Sequence, residues 1–317
     1  MTRRAFLVLA SLAALPAGAQ VAGRAYRVGM IVNGSPRDSR WRPFDERLAS
    51  HGYLVGRNLE LKRLGDTGSS AEAVNPLIRE LIAWRAEVIV VEGSGRARLL
   101  VDQTKTIPIV LAGAADPVAS GFVKTLAHPG GNVTGVSNQE CDLLSKRFEL
   151  IGQMLPAAKR AALVTYTRAI PCKLTKEALV VPGSPIDVVV VDAQGLAPQA
   201  AIQAALKANP DVLVPFAMSF SRDPEGIGKA LEGRRMPIVS DDSWGEANAV
   251  LSLIHDSDAI GRSCADQVAR ILGGAKPADI PVELVDKFQL IVNRRRARES
   301  GVQVPNSILL RADRVIE

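Results

Sequence analysis

The chain has 317 residues, 47% hydrophobic and 23% charged, which is enough to bury a substantial core and too long for one typical domain. Aromatic residues make up only 4%; the aliphatic dominance argues against an aromatic-rich β-sandwich and for an α/β fold whose parallel strands are covered by helices on both faces. The net charge of +6, two units of which sit on Arg3 and Arg4, is too mild and scattered for a nucleic-acid reader, and the run Arg294-Arg295-Arg296 reads as a solvated helix start.

Met1 to Arg4 is positive, Ala5 to Leu15 is apolar apart from Ser11, and Ala17-Gly18-Ala19 offers small residues for cleavage. This pattern reads as a signal peptide over residues 1–19. Its apolar run is too short to span about 30 Å of hydrocarbon, so no stable membrane insertion is expected. Thr2-Arg3-Arg4-Ala5-Phe6-Leu7 also has the look of a twin-arginine leader. No Cys follows the cleavage site, which argues against a lipid anchor.

Beyond the leader, short apolar runs alternate with helical stretches, the pattern of βα units. Strands are expected at Arg27 to Val32, Leu59 to Arg63, Val88 to Val91 and Ile109 to Leu111. Helices are expected at Trp41 to His51, ended by Gly52, and at Ala71 to Trp84, with Val74, Leu77, Ile78, Leu81 and Ile82 on one face. A second series follows helix Leu143 to Met154, with strands at Ala161 to Val164, Ile186 to Val191, Asp211 to Pro215 and Ile238 to Ser240. Helices Pro198 to Ala208 and Pro224 to Glu232 cross between them, while Pro171, Pro182 and Pro185 interrupt the segment Thr165 to Pro185. The expectation is two Rossmann-like lobes around a cleft. The first spans 25–137, completed by about 246–275; the second spans 138–245, completed by about 276–317. Cys141, Cys172 and Cys264 are widely spaced and odd in number, and read as small core residues rather than a disulfide framework or a metal site, with one pair free to join in an oxidising compartment as the alternative.

Residues in loops after strands are the candidates for a ligand. Gly93-Ser94-Gly95 follows the third strand and opens a helix, so its free N–H groups and the Ser94 hydroxyl suit a carboxylate; a plain strand-to-helix turn is the competing reading. Asn33-Gly34-Ser35 and Asp116-Pro117 lie at the same edge, where Asp116 either meets an amino group or caps the helix expected near Val118. Trp41, at helical spacing from Phe44, offers either an aromatic face to a ligand or a core contact. Tyr166 and Asp242 occupy equivalent strand ends in the second lobe, Asp242 suiting an ammonium or serving as turn chemistry. Pro129-Gly130-Gly131-Asn132 precedes the extended run Val133 to Val136, which is suited to crossing between lobes and makes a hinge candidate.

The strings Thr106 to Val110, Asp116-Pro117-Val118 and Leu126-Ala127-His128-Pro129-Gly130-Gly131-Asn132-Val133-Thr134-Gly135-Val136-Ser137 resemble the ABC-transporter substrate-binding protein family that includes tryptophan-binding members. Lys146-Arg147-Phe148-Glu149-Leu150, Gly274 to Glu283 and Ile308 to Asp313 extend the likeness over most of the chain. The resemblance implies the type I periplasmic-binding-protein fold and a small-molecule solute, an amino acid or related carboxylate, captured by lobe closure in the periplasm. It also implies an ABC permease with its ATPase subunit as partners, and a monomer. Where that family has a Gly-Gly-Leu-Met-Ser-Tyr-Gly-like segment, this chain reads Asn248 to Ile254, keeping Ser252, a further ligand candidate, and losing the Tyr.

Two other readings share the fold: a sensor that presents its closed form to a receptor or sensor kinase, and an exported two-domain enzyme. His51, His128 and His255 are the only histidines and none sits in a motif; no nucleophile elbow, P-loop or zinc signature is present. Neither catalysis nor any cofactor or metal is expected.

Overall fold

Strands β1 (Tyr26–Asn33), β2 (Leu59–Asp66), β3 (Val88–Glu92), β4 (Ile109–Ala114) and β5 (Val133–Ser137) arise from the first set of apolar runs. With β11 (Glu283–Leu284) they form one sheet in the order β11-β5-β4-β3-β1-β2, parallel throughout. The computed structural model describes residues 24–66, 70–165, 186–193, 195–216, 224–241 and 248–317. The expected leader and the Pro-interrupted stretch 166–185 lie outside them.

Because side chains alternate along a strand, Val28, Met30 and Val32 enter one core while Ile31, Ile89 and Val91 enter another. Helices α1 (Arg42–Ser50) and α7 (Ser257–Leu272) cover the first face with Phe44, Leu48, Ile260, Cys264 and Val268. Helices α2 (Ala71–Ala83) and α3 (Ser94–Gln103) cover the second with Val74, Ile78, Leu81, Ala97 and Leu100. Burial on both faces explains why these strands read as continuous apolar runs.

The second lobe repeats the design. β6 (Arg160–Thr165), β7 (Asp187–Asp192) and β8 (Val212–Pro215) pair in the order β7-β6-β8. A bridge between Leu213 and Ile238 aligns them with the sheet of β9 (Val239–Ser240), β10 (Leu251–His255), β12 (Phe288–Asn293) and β13 (Arg314–Ile316). Among the described strands of this lobe only the β10–β12 pairing is antiparallel. Helix α4 (Glu140–Met154) packs on one face with α8 (Arg294–Glu299) and α9 (Asn306–Leu309); α5 (Pro198–Leu206) and α6 (Pro224–Ala230) pack on the other.

Two expectations about the crossings are corrected. Val133–Ser137 does not run between lobes: it is held inside the first sheet between β4 and β11. The turn before it lies at the opposite edge of the sheet, where Asn132 Nδ2 donates to the carbonyls of Ile107 (2.8 Å) and Thr104 (3.3 Å). The segment 246–275 is also divided, because Leu251 and Leu253 bury under α4 in the second lobe and the chain returns to the first only with α7. It stays there through β11 before β12 begins. The crossings therefore fall at 138–139, at Asp256 and at 285–287.

Cys141 is disulfide-bonded, which decides for this residue the pairing that the sequence leaves open. Cys264 is free, fully buried in α7, and burial pushes its thiol pKa well above the usual range.

Candidate functional site

In both sheets the strand order reverses about one central strand. The first reads β2-β1-β3-β4 and the second β7-β6-β8-β9, so the switch points lie between β1 and β3 and between β6 and β8. At such points successive crossovers leave in opposite directions and open a crevice at the carboxyl ends of the strands. Those ends are Asn33 and Glu92 in the first lobe and Thr165 and Pro215 in the second. Since the chain leaves β5 and β10 at their carboxyl ends to reach the other lobe, both crevices lie on the side of the crossings.

Gly93 makes the turn from β3 into α3 with φ +78°, a conformation glycine enters without steric cost. No side chain caps α3, so the first N–H groups of the helix, at Ser94 and Gly95, point along the positive end of its dipole. Ser94 Oγ accepts from the Ala115 amide at 3.1 Å, tying this turn to the end of β4. Both Ser94 and Gly95 are half-buried.

Asn33 ends β1 across the switch point. Its amide donates to Glu92 Oε2 (2.7 Å), and its Oδ1 accepts from Arg96 Nη2 (2.9 Å). Arg96, only 5% exposed, also pairs with Asp66 at the end of β2. Arg40 donates to the Asn33 carbonyl and pairs with Glu92 at 3.2 Å. Arg40 also pairs with Asp38 at 3.3 Å, so two guanidinium groups meet three carboxylates. Both of these guanidinium groups are engaged, and the neutral donors at this edge are the N–H groups and hydroxyl of the α3 start.

Sequence reasoning missed the Arg96–Asp66 pair. Its one signal was an Arg in the first turn after Gly93-Ser94-Gly95, and its partner lies 30 residues upstream.

The other candidates fall differently. Ser35 is exposed, its Oγ accepting from the Arg37 amide at 3.2 Å within a turn. Asp116 Oδ1 accepts from the amides of Val118 (3.2 Å) and Ala119 (2.9 Å), a capping role over a tight turn rather than over the helix expected there. Trp41 is 4% exposed and lies in the core beneath α1 and α7, its ring edge-on to Phe44 at 6.2 Å. The structure thus brings Asn33, Ser94 and Gly95 together at the switch point and puts Trp41 inside the lobe. Ser252 lies in β10 opposite Ser240, 1% exposed, with no hydrogen-bond partner for its Oγ. Tyr166 and Asp242 lie outside the described residues.

Among the described residues no cluster of His, Cys, Asp and Glu fits a metal ion, and no helix is long and apolar enough to cross a membrane. A surface recess of about 320 Å³ lined by Arg24, Tyr26, Glu87, Pro108 and Lys276 lies at the amino-terminal edge of the first sheet, at the opposite pole from the switch point.

A sequence model of the family described as ABC transporter substrate binding protein matches residues 27–316. A tyrosine-binding protein of Clostridioides difficile (strain R20291) is 24% identical over 283 residues, which are 87% of this chain and 80% of that protein. Among solved structures, an ABC domain in complex with L-Trp from Streptococcus pneumonia superposes with a TM-score of 0.80 at 23% identity, over 92% of this chain and all of that one. A conserved domain protein from Vibrio cholerae also gives 0.80, at 28% identity, over 92% of this chain and 99% of that one.

Proposed function

The chain belongs to the ABC transporter substrate binding protein family, and we propose that it captures an amino acid or related small carboxylate outside the cytoplasm and hands it to an ABC permease and its ATPase. The observation that carries this reading is the uncapped start of α3 at the first switch point, with the Ser94 hydroxyl beside it. Such a helix start holds a carboxylate through N–H dipoles and needs no cation. The network of Arg40 and Arg96 with Asp38, Glu92 and Asp66 holds this edge in shape.

The ligand ammonium is assigned to the second lobe, where Asp242 follows β9. The relatives support the ligand class, one being named for tyrosine and another holding L-Trp. Solute binds one lobe first, the other closes over it about the crossings, and burial holds the closed form. The reading involves binding without catalysis. The leader pattern and the Cys141 disulfide support export, because disulfides persist in oxidising compartments.

A thermal-shift screen of the mature chain against amino acids, aromatic compounds and small carboxylates tests the proposal, since a ligand selective for the folded state raises Tm. An amino acid is expected to give the largest shift. Stabilisation by sugars alone, with none by any amino acid, would contradict it.

A further inference from the structure

At the inter-lobe crossings lies a polar cluster, with Glu140 and Arg147 buried and His255 partly exposed, that the ligand reading does not use. Glu140, the first residue of α4, follows the 138–139 crossing directly, and His255, the last residue of β10, precedes the crossing at Asp256. His255 Nδ1 lies 3.6 Å from Glu140 Oε2, an ion-pair separation too long for a hydrogen bond. Glu140 Oε1 pairs with Arg147 Nη1 at 2.5 Å. Arg147 is fully buried, two turns along α4, and its Nη2 (2.6 Å) and Nε (3.2 Å) fork onto the carbonyl of Leu253 in β10. Its guanidinium also lies 5.9 Å from the ring of Phe216, at the second switch point. Burial alone would raise the Glu140 pKa, yet the Arg147 charge and His255 hold it below the usual range, so the carboxylate is charged.

The third crossing is laced to the other two through backbone groups. Val285 N–H donates to the Ser137 carbonyl (3.0 Å), Gln139 Nε2 donates to the Val285 carbonyl (2.8 Å), and Asp256 N–H donates to the Lys287 carbonyl (3.0 Å). The link between the first and second crossings is different, because it runs through the side chains of Glu140, Arg147 and His255. A buried ion pair is weak support for stability as such, since desolvation offsets much of its attraction. Its place between two crossings gives it another use.

We infer that Glu140, Arg147 and His255 act as positioning residues that set the resting angle between the lobes, so that His255 tunes ligand affinity through the closure equilibrium without touching the ligand. The inference rests on the two-lobe capture reading. Apparent affinity scales with the population of the binding-competent arrangement, so loosening the Glu140–His255 contact shifts that population and the Kd together.

The test compares wild type with His255→Leu, which removes the contact, and His255→Asn, whose amide nitrogen falls near the position of Nδ1. Small-angle scattering of the ligand-free proteins is the first readout, and titration with L-tryptophan and L-tyrosine the second. His255→Leu should change the radius of gyration and move the Kd by roughly threefold or more with an unchanged melting temperature, and His255→Asn should restore wild-type behaviour in both readouts. Identical ligand-free scattering for wild type and His255→Leu, or a Kd that moves only together with the melting temperature, overturns the inference. If wild type binds neither amino acid, the ligand reading fails, and the scattering comparison still decides the positioning role.

Discussion

The Ser94 hydroxyl oxygen accepts a hydrogen bond from the Ala115 amide, joining the first turn of α3 to the end of β4 at 3.1 Å. A hydroxyl that accepts one hydrogen bond still has a proton to donate. Ser94→Ala should therefore weaken amino-acid binding by roughly tenfold, the worth of one hydrogen bond to a charged group, while lowering stability by only about 1 kcal/mol. Isothermal titration beside denaturant unfolding checks both. Unchanged affinity would remove Ser94 from the site.

Asp66 at the carboxyl end of β2 and Arg96 in the first turn of α3 form a buried pair. Asp66→Leu leaves the guanidinium without its charge partner and should cost about 3–5 kcal/mol in urea unfolding. The double variant Asp66→Leu with Arg96→Leu should cost less than that single change, since it removes the stranded charge. A double variant as unstable as the sum of the two single changes would show that the pair is not coupled.

Gly135 in β5 has φ +138°, and a Cβ there would lie 2.2 Å from the Leu111 nitrogen. Gly135→Ala should destabilise the first lobe by about 3 kcal/mol or more, because strand backbone rather than a flexible side chain would have to move. A melting temperature equal to wild type would contradict the close β4–β5 approach.

Much of the fold was legible in the sequence, for a physical reason: β1 and β3 are buried on both faces, so Val28 to Val32 and Val88 to Val91 stand out as apolar runs bounded by turns. The site was legible where backbone chemistry marks it, as at Gly93-Ser94-Gly95. The Pro129 to Asn132 turn with its extended run misled, since a strand inside a sheet and a strand between lobes share one local pattern. Trp41 and Phe44 share a helical face whether that face meets a ligand or a core, and only packing under α7 decides it. Asp66 and Arg96 were invisible as a pair because the sheet alone brings the end of β2 beside α3.

Asp266 on α7 ties that helix to α1, the other helix on the same face of the first sheet. Burial alone would raise its pKa, but Arg47 Nε at 2.6 Å and His51 Nε2 at 2.5 Å hold it below the usual carboxylate range. A carboxyl depressed in the folded state contributes stability that is complete above its unfolded value, about 4, and is lost as pH falls through the lower folded value. Asp266→Asn should therefore melt below wild type at neutral pH, and the two curves should converge in acid. A constant offset at every pH would contradict this account.

The central claim, capture of an amino acid or related small carboxylate between two closing lobes, is tested most directly by small-angle scattering of the mature protein with and without the amino acid that most raises its melting temperature. The account predicts a smaller radius of gyration at saturation, reversed when the ligand is dialysed away. A stabilising amino acid that leaves the scattering curve unchanged would contradict closure.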